Sequence, residues 1–218
     1  MKNKDLTLNY LNGTEIYLYQ REDMFRVNTD TALLGNFIEV KSGETVLDIG
    51  TNNGALLLYA SQYDYGKLIG VDVVPDAIEL ARKNLEFNKI ANYELYCNKV
   101  QDIELDMVDV IVCNPPYFPA SATMSANPMI QMAKHDTNLP LNDLFEVVQK
   151  LLKPTGRFYM VQRYSRLLDI LDEVIERELG VVEIRKVVDS RTNKPTSVLL
   201  EISRKVDQDT KKSVHHIP

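Results

Sequence analysis

From residue 45 onward, short apolar runs alternate along the chain with segments whose apolar residues recur at helical spacing. Short β-branched runs such as TVLDIG (45–50) and KLIGVDV (67–73) have the length of buried strands. Between such runs, PDAIELARKNLEFNK (75–89) repeats its apolar residues every three or four positions, which is typical of an amphipathic helix. Strands separated by helices predict a largely parallel sheet that is covered on both faces.

The same rhythm continues to residue 203 and gives seven strands in total. The five later strands are YELYC (93–97), DVIVC (109–113), RFYMVQ (157–162), VVEIRKVV (181–188) and SVLLEIS (197–203). Helical patterns cover 141–153 and 165–179, and the first of them ends before Pro154 and Gly156. The pattern therefore predicts an α/β fold with a doubly wound, mostly parallel seven-stranded sheet and helices on both faces.

The two ends of the chain differ from this core. LNYLNGTEIYLYQ (8–20) alternates around an Asn-Gly pair and predicts a hairpin. We expect residues 1–40 to form a hairpin and a helix packed on the core, and residues 41–205 to form one domain. Residues 206–218 are polar, and we expect them to form a frayed tail.

Charge and composition exclude several classes of protein. The net charge of −6 argues against indiscriminate nucleic-acid binding, although a local basic face is compatible with it. No run approaches the roughly 20 apolar residues of a membrane helix, and no signal-peptide core opens the chain, so we expect a cytoplasmic protein. We also expect a monomer. Cys97 and Cys113 lie in apolar segments without metal-ligand spacing, which predicts buried thiols and no metal site. Seven residues are candidates for the basic face, with an ordinary solvated surface as the alternative: Arg157, Arg163, Arg166, Arg185, Lys186, Arg191 and Lys194.

A glycine loop, DIGTNNG (48–54), follows the first core strand. Ligands of open parallel sheets bind beyond the carboxyl ends of the strands, where Asp48, Gly50 and Gly54 would lie. Asp72 ends the next strand, about 20 residues later, where a carboxylate can accept hydrogen bonds from ribose hydroxyls. This spacing indicates a cofactor that contains a nucleoside, and the alternative is a plain strand-to-helix turn.

The loop also discriminates between cofactors. Dinucleotide sites usually have G-x-G-x-x-G, whereas this chain has D-x-G-x-x-x-G with Asn52 near the middle glycine position. Asp48 would repel a pyrophosphate and would suit a ligand with a positive sulfonium and ammonium. The residues therefore favour S-adenosylmethionine over a dinucleotide, and a dinucleotide oxidoreductase is the weaker alternative.

The fourth strand stops at NPPY (114–117). Proline disfavours the helical region for the residue before it, so the Asn114 side chain and the Pro115 carbonyl can point together into a site. These two acceptors suit a planar amine, and Tyr117 can stack on the ring that carries it, a contact worth roughly 1–3 kcal/mol. Catalysis would then consist of positioning and electrostatic stabilisation without a strong base. The alternative is a proline-rich loop that caps a strand.

Together these motifs resemble the class I S-adenosylmethionine-dependent methyltransferases with an NPPY motif, and within them the bacterial tRNA1(Val) (adenine37-N6)-methyltransferases. Four stretches carry the narrower resemblance: FRVNTDTALLGNF (25–37), NPPYF (114–118) followed by MAKHD (132–136), VQRYSRLLDIL (161–171) and TSVLLE (196–201). The resemblance implies methylation of the exocyclic amine of the adenine next to the anticodon of a valine tRNA.

The resemblance also implies roles for individual residues. Asp30 would lie near the methionine end of the cofactor, and Asp72 would hold its ribose. The implied cofactor-binding set is Asp30, Asp48, Gly50, Asn52, Gly54, Asp72, Val73, Asn98 and Asn114. Catalysis would fall to Asn114, Pro115 and Tyr117, and substrate binding to Pro116, Tyr117, Phe118, His135, Arg163 and Arg191.

Two stretches depart from the family pattern. Asn52 and Asn53 replace small loop residues and predict a narrower cofactor pocket, and Asn98 or Lys99 occupies the place of an aspartate near the cofactor's adenine. Weak cofactor affinity is therefore expected. The alternatives are a release-factor glutamine methyltransferase, a ribosomal-RNA guanine methyltransferase and a non-catalytic RNA-binding relative.

Overall fold

The computed structural model describes residues 6–115, 139–204 and 209–218, which form a two-stranded hairpin and an eight-stranded sheet. The hairpin pairs β1 (Leu6–Tyr10) with β2 (Tyr17–Arg21) in antiparallel register, as the alternation predicts. Helix α1 (Thr29–Gly35) follows it. Within these described ranges, no helix is both long enough and apolar enough to cross a membrane.

The large sheet has the order β10-β8-β9-β7-β6-β3-β4-β5. Its strands are β3 (Thr45–Ile49), β4 (Lys67–Asp72), β5 (Tyr93–Cys97), β6 (Val108–Cys113), β7 (Leu152–Arg163), β8 (Gly180–Asp189), β9 (Lys194–Ser203) and β10 (Lys211–Ile217). Strand β9 is antiparallel to both of its neighbours, and all other pairs are parallel. The prediction of a doubly wound, mostly parallel sheet is confirmed.

Among the described residues, four further helices and two short 3₁₀ turns connect the strands. They are α2 (Ala55–Ala60), α3 (Pro75–Phe87), α4 (Leu141–Leu151), α5 (Leu167–Glu176) and the turns Val100–Asp102 and Tyr164–Arg166. Successive strand residues face opposite cores. In β3, Val46 packs in the cluster of α1 and α2, whereas Leu47 packs in the cluster of α4 and α5. Both faces are thus covered, as a parallel sheet requires.

Strand β10 corrects the expected seven strands and the expected frayed tail. It pairs in parallel with β8 over its whole length, from Lys211 opposite Glu183 to Ile217 opposite Asp189. Its polar composition is compatible with a strand because the buried Glu183 carboxylate accepts bonds from Lys211 at 3.0 Å and from Ser213 at 2.9 Å. Polar side chains at a sheet edge are therefore not a sign of disorder here.

Two side chains lie in environments that differ from those expected. Cys97 is exposed at the end of the edge strand β5, whereas Cys113 is buried as predicted. Arg157 was expected on a basic surface, but it is 8% exposed and pairs with Glu44. Because the partner comes from a distant part of the chain, its burial could not be seen from local sequence.

The order of the strands positions the site. Strand β3 pairs with β4 on one side and with β6 on the other, so the winding of the sheet reverses between β3 and β6. These strands are parallel, and their carboxyl ends at Ile49, Asp72 and Cys113 meet at one rim. Ligands of open α/β sheets bind at this type of reversal.

Candidate active site

A cleft opens at the carboxyl ends of β3, β4 and β6. Its empty space, counted together with the open solvent at its mouth, is about 1180 Å³. One part of its wall is apolar and comes mainly from Met24, Phe25, Val27, Val74, Ala77 and Val100. The polar part comes mainly from Thr31, Thr51, Asn52, Asn53, Asp72, Asn98 and Asn114. A largely apolar wall with a few polar groups is typical of a cofactor site.

The loop 50–54 follows β3 and turns the chain into α2. Gly50 and Gly54 have positive φ angles of 76° and 79°, which explains the glycines at both positions. The N–H groups of Gly50 and Thr51 donate to the Val71 carbonyl at 2.9 and 3.0 Å. A Cβ atom on Gly54 would lie 3.3 Å from the Ala81 Cβ, whereas one on Gly50 would meet nothing within 4 Å. Gly54 thus permits close packing on α3, and Gly50 leaves open space on the cleft wall.

Asp72 lies on the wall of the cleft with both carboxylate oxygens already engaged. Its Oδ2 accepts the backbone N–H of Asn52 at 2.9 Å, and its Oδ1 accepts that of Val74 at 3.0 Å. Burial raises the pKa of Asp72, and the two backbone donors oppose that rise. Each carboxylate oxygen can accept a second hydrogen bond, so the geometry is compatible with the predicted ribose contact.

The two asparagines of the loop connect it to the N-terminal segment and to α3. Asn52 has a φ of 47°, and its Nδ2 donates to the Phe25 carbonyl at 2.7 Å. The Asn53 carbonyl accepts from the buried Asn84 Nδ2 at 2.9 Å. Both asparagines line the cleft, so their side chains shape its wall, and the expected weak cofactor affinity stays a prediction.

Several buried polar atoms beside the loop have no hydrogen-bond partner among the described residues. They are both Asp48 carboxylate oxygens, Thr51 Oγ1 and Asn53 Nδ2. Burial raises the pKa of Asp48 to about 7, the Thr51 side chain opposes that rise, and the nearby charge of Asp72 adds to it. Unsatisfied buried donors and acceptors are rare in proteins. Thr51 and Asn53 line the cleft, where their polar atoms suit a ligand that carries polar groups, whereas Asp48 is not part of the cleft wall. The residues present therefore fit S-adenosylmethionine.

Asn114 follows β6 and is held by the segment that precedes and begins α1. Its Nδ2 donates to Thr31 Oγ1 at 3.0 Å. The Thr31 hydroxyl donates to Asn28 Oδ1 at 3.0 Å, and the Thr31 N–H donates to the same oxygen at 2.9 Å. Asn28 is thereby the N-cap of α1. Sequence reasoning missed the roles of Asn28 and Thr31, although an asparagine immediately before a helix is a recognisable N-cap signal.

The predicted cofactor-binding residues divide into two groups. Gly50, Asn52, Asp72, Val73, Asn98 and Asn114 lie together on the cleft wall, as does the predicted catalytic Pro115. Asp30, Asp48 and Gly54 are not part of that wall. The Asp30 carboxylate instead accepts from Ser197 Oγ at 2.8 Å and links α1 to β9. Lys99 lines the cleft beside Asn98.

Basic side chains lie on the same rim as the cleft. Arg163 ends β7, and Arg191 and Lys194 lie in and beside the turn between β8 and β9. All three are exposed. Arg185 differs, because it pairs with Glu183 at 3.0 Å and lies 4.4 Å over the Phe37 ring. The rim therefore retains part of the predicted basic face.

Part of the predicted site falls outside the described residues. Pro116, Tyr117, Phe118 and His135 lie there, and their roles stay predictions. The part of the chain that the structure describes contains no group of three His, Cys, Asp or Glu side chains able to hold a metal ion.

Comparison with known proteins identifies the family. Residues 40–216 match the family model described as "Methyltransferase domain". The tRNA1(Val) (adenine(37)-N6)-methyltransferase of Shewanella woodyi is 30% identical over 187 residues, which cover 82% of this chain and 76% of the relative. The protein of that name from Cytophaga hutchinsonii is 30% identical over 179 residues, covering 79% and 74%.

Solved structures agree on the fold. The ribosomal protein L11 methylase of Lactobacillus delbrueckii subsp. bulgaricus aligns with a TM-score of 0.64 at 20% identity, covering 85% of this chain and 84% of that one. A 16S rRNA guanine-N2 methyltransferase of T. thermophilus, solved with AdoMet and guanosine, aligns with a TM-score of 0.66 at 18% identity, covering 92% and 50%. The matched domain, the relatives and the fold lead to one conclusion: the chain belongs to the tRNA1(Val) (adenine(37)-N6)-methyltransferase family of S-adenosylmethionine-dependent methyltransferases.

Proposed function

We propose that this protein transfers the methyl group of S-adenosylmethionine to the exocyclic nitrogen of the adenine next to the anticodon of a valine tRNA. The name that both of these relatives carry supports this acceptor. The observation that carries the proposal is the position of Asn114, on the wall of the same cleft as Gly50 and Asp72. A planar amine held at Asn114 would thus lie beside the cofactor site.

The cofactor would be held by the loop after β3 and by the end of β4. Asp72 would accept the ribose hydroxyls through its remaining lone pairs, and Gly50 would leave room for the ligand beside the backbone. Val74, Ala77 and Val100 form an apolar wall for the adenine ring. When bound, S-adenosylmethionine supplies an electrophilic methyl group.

The target amine would be held by two acceptors at the end of β6. The Asn114 side-chain oxygen and the Pro115 carbonyl would each accept one N–H of the amine, and Tyr117 would stack on the base. These oxygens orient the nitrogen lone pair and stabilise the positive charge that develops on the nitrogen. The amine loses its proton after transfer, when it is strongly acidic, so no buried general base is required.

Docking of the tRNA would use the basic rim around the cleft. Arg163, Arg191 and Lys194 are exposed on the rim that carries the cleft, and exposed cations contact phosphates favourably. The adenine must leave its stack to reach Asn114, which costs a few kcal/mol. Phosphate contacts at the rim would offset that cost.

The test is methyl transfer from radiolabelled S-adenosylmethionine to an unmodified valine tRNA transcript. We expect label in N6-methyladenosine after nuclease digestion and mass spectrometry. A transcript with guanine in place of the adenine next to the anticodon is the substrate control, and Asn114→Ala is the enzyme control. Both should reduce incorporation by at least about 100-fold, because donors or acceptors at the reacting atom are worth that much.

Parallel reactions separate the other acceptors. Unmodified ribosomal RNA and a release factor are each incubated with the same radiolabelled S-adenosylmethionine under the same conditions. Label in either one, with none in the valine tRNA, would replace the proposed substrate. Cofactor binding by calorimetry without transfer to any acceptor would indicate a non-catalytic relative.

A further inference from the structure

The polarity of the Asn114 side-chain amide decides whether it can hold an amine. Its two ends have nearly the same shape, yet one end accepts hydrogen bonds and the other donates them. An amine N–H bonds only to the oxygen end. A site that leaves the amide able to rotate would present the wrong end in part of the molecules.

The contacts around Thr31 determine that polarity without ambiguity. The backbone N–H of Thr31 can only donate, so the Asn28 atom 2.9 Å from it must be the oxygen, Oδ1. An amide oxygen only accepts, so the Thr31 hydroxyl must give its single proton to the same atom, at 3.0 Å. Toward Asn114, Thr31 Oγ1 is then an acceptor alone.

Asn114 must therefore turn its Nδ2 toward Thr31, at the 3.0 Å distance observed. We infer that Thr31 is a positioning residue that fixes the orientation of the Asn114 amide, so that its Oδ1 is the end presented to the substrate amine. This inference rests on the proposed function for its catalytic consequence. The directions of the hydrogen bonds themselves follow from the contacts of Asn28, Thr31 and Asn114.

The arrangement has a rigid anchor. Asn28 caps α1, and Thr31 is only 6% exposed, so water does not compete strongly for its hydroxyl. Rotating the Asn114 amide would place two lone pairs against each other at Thr31 and an N–H against the incoming amine. Both contacts are repulsive, so the wrong orientation is suppressed before substrate binds.

Thr31→Val removes the hydroxyl while keeping the shape of the side chain. Thr31→Ser keeps the hydroxyl. Thr14→Val is a matched control, because Thr14 is 5% exposed and its hydroxyl also donates one bond, to the Leu11 carbonyl, and accepts one, from the Ile16 N–H. Thr14 lies in the hairpin connection and does not line the cleft.

We expect Thr31→Val to lower kcat about 10-fold and to leave the KM for S-adenosylmethionine unchanged. Thr31→Ser should restore most of the rate, and Thr14→Val should not lower kcat beyond the error of the assay. In an Asn114→Ala background, Thr31→Val should cause no further loss, because residues that act through one another are not additive.

A second measurement is independent of turnover. In protein labelled with ¹⁵N-asparagine, the Asn114 side-chain NH₂ is assigned by its loss in Asn114→Ala. One of its protons should be shifted and slow to exchange because it donates to Thr31. Thr31→Val should shift this signal and speed its exchange, whereas Thr14→Val should not.

The outcomes separate the two proposals. If the wild-type protein methylates no acceptor, the proposed function fails, while the NMR signal still tests the orientation. If the wild type is active and Thr31→Val keeps both its kcat and a protected Asn114 signal, the inference is overturned. If Thr31→Ser is as slow as Thr31→Val, the hydroxyl is not the group responsible and the inference is likewise overturned.

Discussion

Asn84 of α3 binds both backbone groups of Tyr19 in β2. Its Oδ1 accepts the Tyr19 N–H at 2.7 Å, and its Nδ2 donates to the Tyr19 carbonyl at 3.0 Å. The same Nδ2 donates to the Asn53 carbonyl of the cofactor loop at 2.9 Å. One fully buried side chain thus connects the hairpin, the helix and the loop.

We expect Asn84→Ala to lower the free energy of unfolding by about 3 kcal/mol, because it leaves several buried backbone groups without partners. Affinity for S-adenosylmethionine should also fall, since Asn53 loses its anchor. Chemical denaturation and calorimetry measure the two effects.

Asn88→Ala is the control on the same helix. Asn88 donates to the Tyr17 carbonyl at 2.8 Å but is only half-buried, so we expect a loss of about 1 kcal/mol and unchanged affinity. Equal losses for the two variants would contradict the bridging role of Asn84.

Gly50 and Gly43 provide a matched pair of backbone positions. Their φ angles are 76° and 77°, and a Cβ atom at either one would meet nothing within 4 Å. Alanine should therefore cost about 1 kcal/mol of stability at each, through left-handed backbone strain alone. Only Gly50 lines the cleft, so only Gly50→Ala should also weaken S-adenosylmethionine, by about 10-fold or more in calorimetry. Unchanged affinity in Gly50→Ala would exclude this part of the loop from cofactor contact.

The buried Asp48 carboxyl predicts a pH dependence of stability. In the folded protein its pKa is raised from 3.8 to about 7, mainly by burial. Between about pH 4 and pH 7 the folded state therefore holds a proton that the unfolded state has lost, so stability falls as pH rises and levels off above 7. Asp48→Asn cannot lose this proton, so in the protein without ligand its stability relative to wild type should rise with pH across this window. The ratio of the two unfolding equilibrium constants should change by up to about tenfold per pH unit.

Urea titrations at several pH values check this expectation. The difference between wild type and Asp48→Asn should be constant above about pH 7. A difference that is the same from pH 4 to pH 8 would show that Asp48 is ionised throughout in the folded protein.

Removing charge from the basic rim should alter the salt dependence of tRNA binding. Arg191→Ala should reduce the slope of log affinity against log salt by about 1 for one lost phosphate contact. Arg157→Met removes the same charge from a buried pair with Glu44 and should lower stability without changing the slope. Filter binding at 50–300 mM salt, about the range over which phosphate contacts are lost, measures the slope for both variants. A slope that Arg191→Ala leaves unchanged would move the docking surface elsewhere.

The sequence predicted the core of the fold because its signals are local. The short apolar run around Val46 and Leu47 and the helical repeat after Pro75 each require only near neighbours, and such patterns predicted the order of strands and helices along the chain. Parallel pairing then placed the loop at Gly50, the carboxylate of Asp72 and the amide of Asn114 at one rim.

Two features of the fold could not be predicted from the sequence, because the residues that form them are distant along the chain. The burial of Arg157 depends on Glu44, which lies 113 residues away. The pairing of β10 depends on Glu183, whose carboxylate accepts from Lys211 and Ser213. Neither long-range pair leaves a periodic pattern.

In the candidate site, too, local sequence patterns predict some features and long-range contacts determine others. Sequence pattern alone predicts that the glycine loop, the Asp72 carboxylate and the turn at Asn114 share one edge of a sheet, because backbone periodicity and strand direction are encoded in neighbouring residues. The contact between Thr31 and the Asn114 amide joins residues 83 positions apart, so it could be found only in the folded chain. The polarity of that amide depends on hydrogen bonds that exist only when α1 packs against the end of β6.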